Sequence, residues 1–355
     1  MAKENIKALS LFACAGIGEY YLSRNQIKIV VANELLDDRC KFYRLNHPKT
    51  QMIQGDITKP LIYRKVIDQS KKEQVSLLIA TPPCQGFSTA GKMDPHDERN
   101  PLILKVIQAI QDLSIEYCLI ENVPNFFKHY IQIKNKPILV LDYLNKVLGN
   151  NYEIRAQVVN AADFGTPQNR KRAIVLMSKK GSKVWEFPEL ITPAHKTVRE
   201  TISHLPSLES GEQSSIPFHF SPTHSERHTL WMKNTPTGKS AFDNPTFFPQ
   251  KPNGDRIKGF KNTYKRIEWD KPAPTITMAN GVLSSQENVH PGRLNEDGTY
   301  SDARVLSILE LMLLSGLDLN WKIPSWAKDS LIRHVIGESV PPKLLFELTK
   351  FFDQK

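Results

Sequence analysis

Residues 76–88 read Ser-Leu-Leu-Ile-Ala-Thr-Pro-Pro-Cys-Gln-Gly-Phe-Ser. The apolar run at 77–80 is bounded by two prolines, which predicts a short buried strand that no helix can continue. Pro82 and Pro83 fix φ and bias what precedes them toward extended geometry, so Cys84 stands just past the strand on a stiff lead-in. A lone cysteine is usually a small buried hydrophobe. One at a strand's carboxyl end, between Pro-Pro and a glycine-bearing segment, stands where open α/β sheets put their chemistry. Segment 85–99 reads as a polar loop over that site.

Upstream, a largely apolar run at 8–13 leads into Cys14-Ala15-Gly16-Ile17-Gly18-Glu19, after which a helix is expected from Tyr20. Strand, tight glycine turn and helix suit the close approach of a nucleotide-like ligand, though a glycine turn this short is also a common plain connection. A second strand at 28–33 is followed by Glu34, placed to accept from ribose hydroxyls. A third at 51–54 is followed by Gly55-Asp56, whose carboxylate could accept from an adenine amino group; turn or cap roles are the alternative for both acids.

Downstream, 102–113 has helical periodicity, and a strand at 117–120 ends in Glu121-Asn122-Val123-Pro124. Strands at 154–159 and 172–177 flank a turn holding Gln168, Arg170, Lys171 and Arg172. The alternation implies a mainly parallel α/β sheet of seven strands with both faces covered. Past Ser178 the texture changes to Pro, Ser, Thr, Asn and Gly with little helical periodicity. Helical patterning returns at 305–314, and a last helix is expected at 343–352 with Pro342 in its first turn. The expected division is a catalytic and cofactor-binding domain at 1–184, a smaller irregular recognition domain at 185–290, and a return segment at 291–355.

The chain has 355 residues, 40% hydrophobic and 24% charged, the profile of an ordinary globular protein. With neither a signal-peptide pattern nor an apolar run of membrane length, it reads as soluble and intracellular. The four cysteines form no CxxC pair or zinc-spaced cluster, so neither a disulfide framework nor a structural metal is indicated. The formal charge of +10 favours a polyanionic partner. In 251–271 seven Lys and Arg are interleaved with Phe260, Tyr264 and Trp269, a pattern that suits phosphates beside exposed bases but taken alone more often marks a solvated charged face.

A thiol and a carboxylate at neighbouring strand ends, beside a site for an adenosyl group in a basic protein, suggest methyl transfer onto an electron-poor ring. The sequence resembles the cytosine-C5 DNA methyltransferases of bacterial restriction systems over nearly its whole length. SLFACAGIGE resembles that family's S-adenosylmethionine turn, Glu34 its ribose acid, Gly55-Asp56-Ile57 its adenine segment, and TPPCQGFS its nucleophile motif. Glu121-Asn122-Val123, Gln168-x-Arg170-x-Arg172, Arg304-x-Leu306-Ser307 to Glu310, and IGESVPP follow in the family's order. Two positions depart from it: Cys14 stands where the family has glycine, and Glu338-Ser339 where it has Asn-Ala.

The resemblance implies a Rossmann-like methyltransferase fold with S-adenosylmethionine as cofactor. The cofactor would be held by Phe12, Ala15, Gly16, Ile17 and Gly18, by Glu34 and Leu35, by Asp56 and Ile57, and by Pro82, Leu102, Ser339 and Val340. It implies Cys84 as nucleophile on C6 of a flipped cytosine, Glu121 as the acid toward N3 and the exocyclic amine, Arg172 on O2, and Arg170 supporting the same pocket. Ser88, Lys92, Arg99 and Gln168 would touch the DNA, the first three from a closing loop, and a water would remove the C5 proton. Double-stranded DNA is the implied partner and a monomer in the bacterial cytoplasm the implied state, with room for a separately encoded restriction endonuclease. The long variable region argues against the family's tRNA-methylating branch, and intact Cys84, Glu121 and Arg172 against a silent DNA-binding module. A nicotinamide dehydrogenase would have no use for Pro-Pro-Cys.

Overall fold

All four side chains of the strand at Leu77–Ala80 are buried, and the strand lies in the middle of a seven-stranded sheet. Full burial of a Leu or Ile side chain contributes about 1.5–3 kcal/mol, so this short run is a strong anchor. The structure is a computed structural model that describes residues 6–83, 101–134, 136–190 and 194–354. Contacts divide these into two compact units, the first drawn from 6–160, 171–190 and 344–354, the second from 161–170 and 194–343.

The first unit holds the sheet. Its strands are β1 (Ile6–Leu11), β2 (Ile27–Glu34), β3 (Gln51–Gln54), β4 (Leu77–Ala80) and β5 (Tyr117–Asn122). After a small hairpin, β6 (Tyr130–Ile133) and β7 (Lys136–Leu139), come β8 (Tyr152–Asn160) and β9 (Lys171–Lys179). Their order is β3-β2-β1-β4-β5-β9-β8. The first five are parallel, and β9 runs antiparallel to both β5 and β8. The order reverses at β1 and β4, and open α/β sheets bind ligands outside the carboxyl ends of strands at such a point.

Parallel strands need crossover connections, and α1 (Asp37–Asn46), α2 (Pro60–Glu73) and α3 (Pro101–Leu113) supply them. Leu9, Val31, Leu78, Ile120 and Val175 from the sheet share one buried core with Val66, Val106 and Ile110 from the helices. The helix expected from Tyr20 is only a 3₁₀ turn at Leu22–Asn25, closed by Gln26 at φ 59°, because the chain must re-enter the sheet at Ile27. The β6–β7 hairpin was not legible either: each strand has four residues and little alternation, and Pro137 lies on an edge. Helix α4 (Val140–Leu148) follows it. Trp185 is fully buried in this unit, donates to the Leu348 carbonyl at 2.9 Å and meets Phe352 edge-on.

In the second unit α5 (Val198–Ile202) and α7 (Ile308–Leu314) begin with capping boxes, Thr197 with Glu200 and Ser307 with Glu310. With α6 (Glu226–Lys233), α8 (Asp329–Glu338) and long irregular connections they surround a core of Trp231, Met232, Val289 and Val305. A buried ionic network reinforces this unit. Arg304 donates to both oxygens of Glu310 at 2.8 and 2.9 Å and to Asp302 at 2.9 Å, and Arg266 donates to four main-chain carbonyls. The last helix is α9 (Pro342–Thr349), with Leu344, Leu345 and Leu348 buried. Among the described residues no helix is long and apolar enough to cross a membrane.

Candidate active site

Hydrogen bonds lace the carboxyl ends of five strands together. Asn33 Nδ2 at the end of β2 donates to the carbonyls of Ile53 and Gly55 after β3, at 2.9 and 3.0 Å. The Ala13 N–H after β1 donates to the Asn33 carbonyl at 3.0 Å. Thr81 Oγ1 after β4 donates to the Phe12 carbonyl at 2.9 Å, and Asn122 Nδ2 on β5 to the Pro82 carbonyl at 3.0 Å. The edge is thereby one braced surface, and Pro82 sits on it two residues before Cys84.

At the β5 end of this row Glu121 is nearly buried, and its Oε1 lies 2.7 Å from Nε of Arg172 on β9. Arg172 Nη1 also donates to the Lys171 carbonyl at 2.7 Å. An acid and a guanidinium therefore face each other next to Asn122, which braces Pro82. Asn122 Oδ1 accepts the Val123 N–H at 2.9 Å, so the residue after the acid has both ends of its amide engaged.

At the other end Glu34 closes β2. Its Oε1 accepts the N–H groups of Leu35 and Leu36 at 2.8 and 2.9 Å, and its Oε2 accepts that of Cys14 at 2.9 Å. Leu35 beside it is 58% exposed, a large apolar side chain at the lip of the site. Asp56 Oδ1 accepts from the N–H and hydroxyl of Thr58 at 2.8 and 2.7 Å. Burial raises the Asp56 pKa, but the Thr58 bonds and Lys59 outweigh it and leave the carboxyl below its ordinary range. In the turn after β1, Ala15 and Ile17 are buried, and Phe12, Cys14 and Gly16 all have positive φ, at 60°, 48° and 73°. Ile57 is buried in the core of the first unit, against which Leu102 packs.

The sequence profile described as C-5 cytosine-specific DNA methylase matches residues 6–352. The chain belongs to this family. It is 48% identical over 353 residues to the Type II methyltransferase M1.HgaI of Avibacterium volantium, covering 98% of each chain. To the Type II methyltransferase M1.HphI of Haemophilus parahaemolyticus it is 28% identical, over 95% of this chain and 83% of that one. Among solved structures the fold matches the methyltransferase EhMeth of Entamoeba histolytica with a TM-score of 0.66 at 15% identity, over 99% of this chain and 100% of that one.

Cys84, Ser88, Lys92 and Arg99 of this methylase lie outside the described residues, as does the rest of 84–100. Two expected site residues occupy different surroundings from those the motif suggested. Gln168 is 1% exposed; its amide reaches the Leu314 carbonyl and Ser315 Oγ at 3.4 Å, and its Oε1 accepts the Ile276 N–H at 3.4 Å. Arg170 is also buried and donates to the carbonyls of Ile276, Gly337 and Glu338 at 2.8, 3.0 and 3.3 Å. Within the second unit it positions the IGESVPP segment.

In that segment a Cβ on Gly337 would lie 2.2 Å from the Thr277 carbonyl oxygen, which explains glycine there. Ser339 Oγ donates to the Val335 carbonyl at 2.6 Å, and Val340 is buried. Asn33, Thr81 and Asn122 were missed as site residues. Their sequence signal is a short polar side chain in the last two positions of a strand or just after it.

Proposed function

We infer that this methylase transfers a methyl group from S-adenosylmethionine to C5 of a cytosine flipped out of duplex DNA, and that it protects bacterial DNA within a restriction-modification system. The reading rests on the Glu121–Arg172 pair, joined through Asn122 to Pro82, two residues before Cys84 in the sequence. The strand-end residues suit an adenosyl group. Glu34 fits ribose hydroxyls, Asp56 an adenine amino group, exposed Leu35 a ring face, and the turn at 12–18 a close backbone approach. Bound there, the cofactor supplies the electrophilic methyl that C5 takes up.

The remaining chemistry belongs to the chain. C5 of cytosine is a weak nucleophile until a thiolate adds to C6. As the C6–S bond of Cys84 forms, a proton passes from Glu121 to N3, and C5 gains enamine character. Arg172, the partner of the Glu121 carboxylate in the free protein, is its partner again once that proton has left. Once C5 is methylated, water takes the C5 proton, the C6–S bond breaks with its electrons returning to sulfur, and the N3 proton returns to Glu121. Flipping the base costs a few kcal/mol, which contacts to the DNA must offset. We assign sequence recognition to 185–290.

The test is DNA carrying 5-fluorocytosine at the target site. With cofactor present it should trap the protein covalently at Cys84, because fluorine cannot leave as the C5 proton does. Label from S-adenosylmethionine should pass to duplex DNA and not to tRNA. Transfer to tRNA alone, or trapping that survives Cys84→Ala, would overturn the reading.

A further inference from the structure

The turn after β1 is fastened to the segment 34–47 at three points. The Cys14 N–H donates to Glu34 Oε2 at 2.9 Å. The Gly16 carbonyl lies 2.9 Å from Nε2 of His47. Glu19, 6% exposed, accepts from the hydroxyls of Ser10 and Tyr43. Tyr43 and His47 lie one turn apart at the end of α1, ring centroids 4.6 Å apart, so the helix brings both rings against the turn together. A Cβ on Gly16 would lie 2.6 Å from the His47 ring and 2.9 Å from the Tyr43 ring. Glycine is required here by close packing as well as by its φ of 73°.

A buried carboxyl against two hydroxyls is costly to leave unmatched. Burial pushes Glu19 above the ordinary carboxylate range, while His47 and the two hydroxyls pull it back. None of these four side chains belongs to the methyl-transfer chemistry, and all four converge on one turn.

We propose that Tyr43 and His47 are positioning residues for the cofactor: His47 at the Gly16 carbonyl and Tyr43 at the Glu19 carboxyl hold the turn in the shape that receives it. The proposal rests on reading 12–18 as the cofactor turn. The segment that anchors the turn also begins with Glu34, so the ribose acid and the turn are set in register by one connected piece of chain.

The experiment measures cofactor affinity by calorimetry, and cofactor KM, DNA KM and kcat, in His47→Leu, His47→Gln and Tyr43→Phe. The glutamine can return an N–H donor toward the Gly16 carbonyl. One lost hydrogen bond to the turn should weaken cofactor binding about five- to tenfold in His47→Leu and Tyr43→Phe, with kcat at saturating cofactor and DNA KM within twofold of wild type. His47→Gln should recover most of the loss. Unchanged cofactor affinity in folded His47→Leu and Tyr43→Phe would overturn the proposal. So would a parallel loss of kcat and DNA binding in all three variants, which marks a merely structural role. Wild-type protein that methylates DNA but is protected from the cofactor by no contact at 12–18, in hydrogen exchange, would instead overturn the reading of the turn.

Discussion

Arg172 on β9 and Glu121 on β5 form an ion pair at 2.7 Å across an antiparallel strand pair in which Glu121 faces Ile174. The arginine is thus the diagonal neighbour of the acid, reaching it along the strand direction. The guanidinium is fixed on two sides, by Glu121 and by the Lys171 carbonyl. Arg172→Lys keeps the charge but not this two-sided geometry, and should lower kcat about a hundredfold. Arg172→Ala should lower it further and also reduce stability, since it leaves a nearly buried carboxyl without its partner. Single-turnover methyl transfer and urea unfolding separate the two effects; a wild-type rate in Arg172→Ala would exclude the pair from the chemistry.

Asn122 carries a different burden. Its amide joins β5 to the Pro82 carbonyl, two residues from Cys84, and its removal leaves that carbonyl without this donor. Asn122→Ala should lower the rate of covalent trapping on 5-fluorocytosine DNA by about tenfold, the equivalent of ~1.4 kcal/mol, while cofactor affinity stays within twofold. Trapping kinetics under saturating cofactor report this directly. An effect confined to cofactor binding would mean the brace serves the other end of the row.

Cys14 holds φ 48°, a left-handed conformation that disfavours any residue with a Cβ. The strain explains why a family pattern would place glycine there. Cys14→Gly removes about 1–2 kcal/mol of backbone strain but adds about 0.5–1 kcal/mol of unfolded-state entropy. The net expectation is a gain of up to about 1.5 kcal/mol in the urea midpoint analysis, whereas β-branched Cys14→Val should lose stability.

The central strands were legible because runs such as 77–80 and 117–120 are apolar without interruption and end in proline or a carboxylate. Short polar elements were not: nothing in 130–139 distinguishes a hairpin from a loop until Tyr130 is seen paired with Leu139. Motif reading also found the right residues without their surroundings. Glu121 and Arg172 do meet, but the similarly spaced Gln168 and Arg170 are enclosed by the second unit's own carbonyls. Charge patterning was less informative still. In 251–271, Arg266 is fully buried, Arg256 holds the carbonyls of Phe242 and Asn244, and Lys265 and Lys271 pair with Glu287 and Glu268. Sequence shows the sign of a side chain; only packing shows where it goes.

That sorting yields a prediction for DNA binding. Lys258 is exposed, whereas Arg266 is enclosed. If 185–290 reads DNA, Lys258→Ala should weaken binding and reduce the slope of log affinity against log salt by about 0.9, one phosphate contact. Arg266→Ala should act on stability, removing the donor that serves the carbonyls of Met232, His290 and Asp302. A salt slope unchanged in Lys258→Ala would remove that lysine from the interface.

The buried network of the second unit should make the protein acid-labile, starting well above the carboxylate range. Burial is the main cause that holds His290 down at about 3; its Nδ1 accepts the Gly292 N–H, and Arg304 lies close. Below about pH 6.5, the ordinary value for an imidazole, the unfolded chain therefore takes up a proton that the folded chain refuses. Stability falls from there down to about pH 3, the folded value. Glu310 behaves as a depressed acid: burial raises its pKa, but Arg304, His290 and the Ser307 N–H outweigh that and hold it at about 2. Asp302 is likewise depressed, burial being outweighed by His290, Arg304 and the hydroxyls of Ser207 and Ser301. Their contributions are present above the ordinary carboxylate range and are lost as pH falls through it toward the folded values. Each proton bound only by the unfolded chain removes about 1.4 kcal/mol per pH unit. Urea midpoints between pH 7.5 and 4.5 should decline in wild type, and His290→Gln should flatten the portion between about pH 6.5 and 4.5 while leaving the steeper loss below it. A wild-type profile level down to about pH 5 would mean that His290 is protonated within the fold, and that its burial is matched by Asp302 and Glu310 rather than by neutrality.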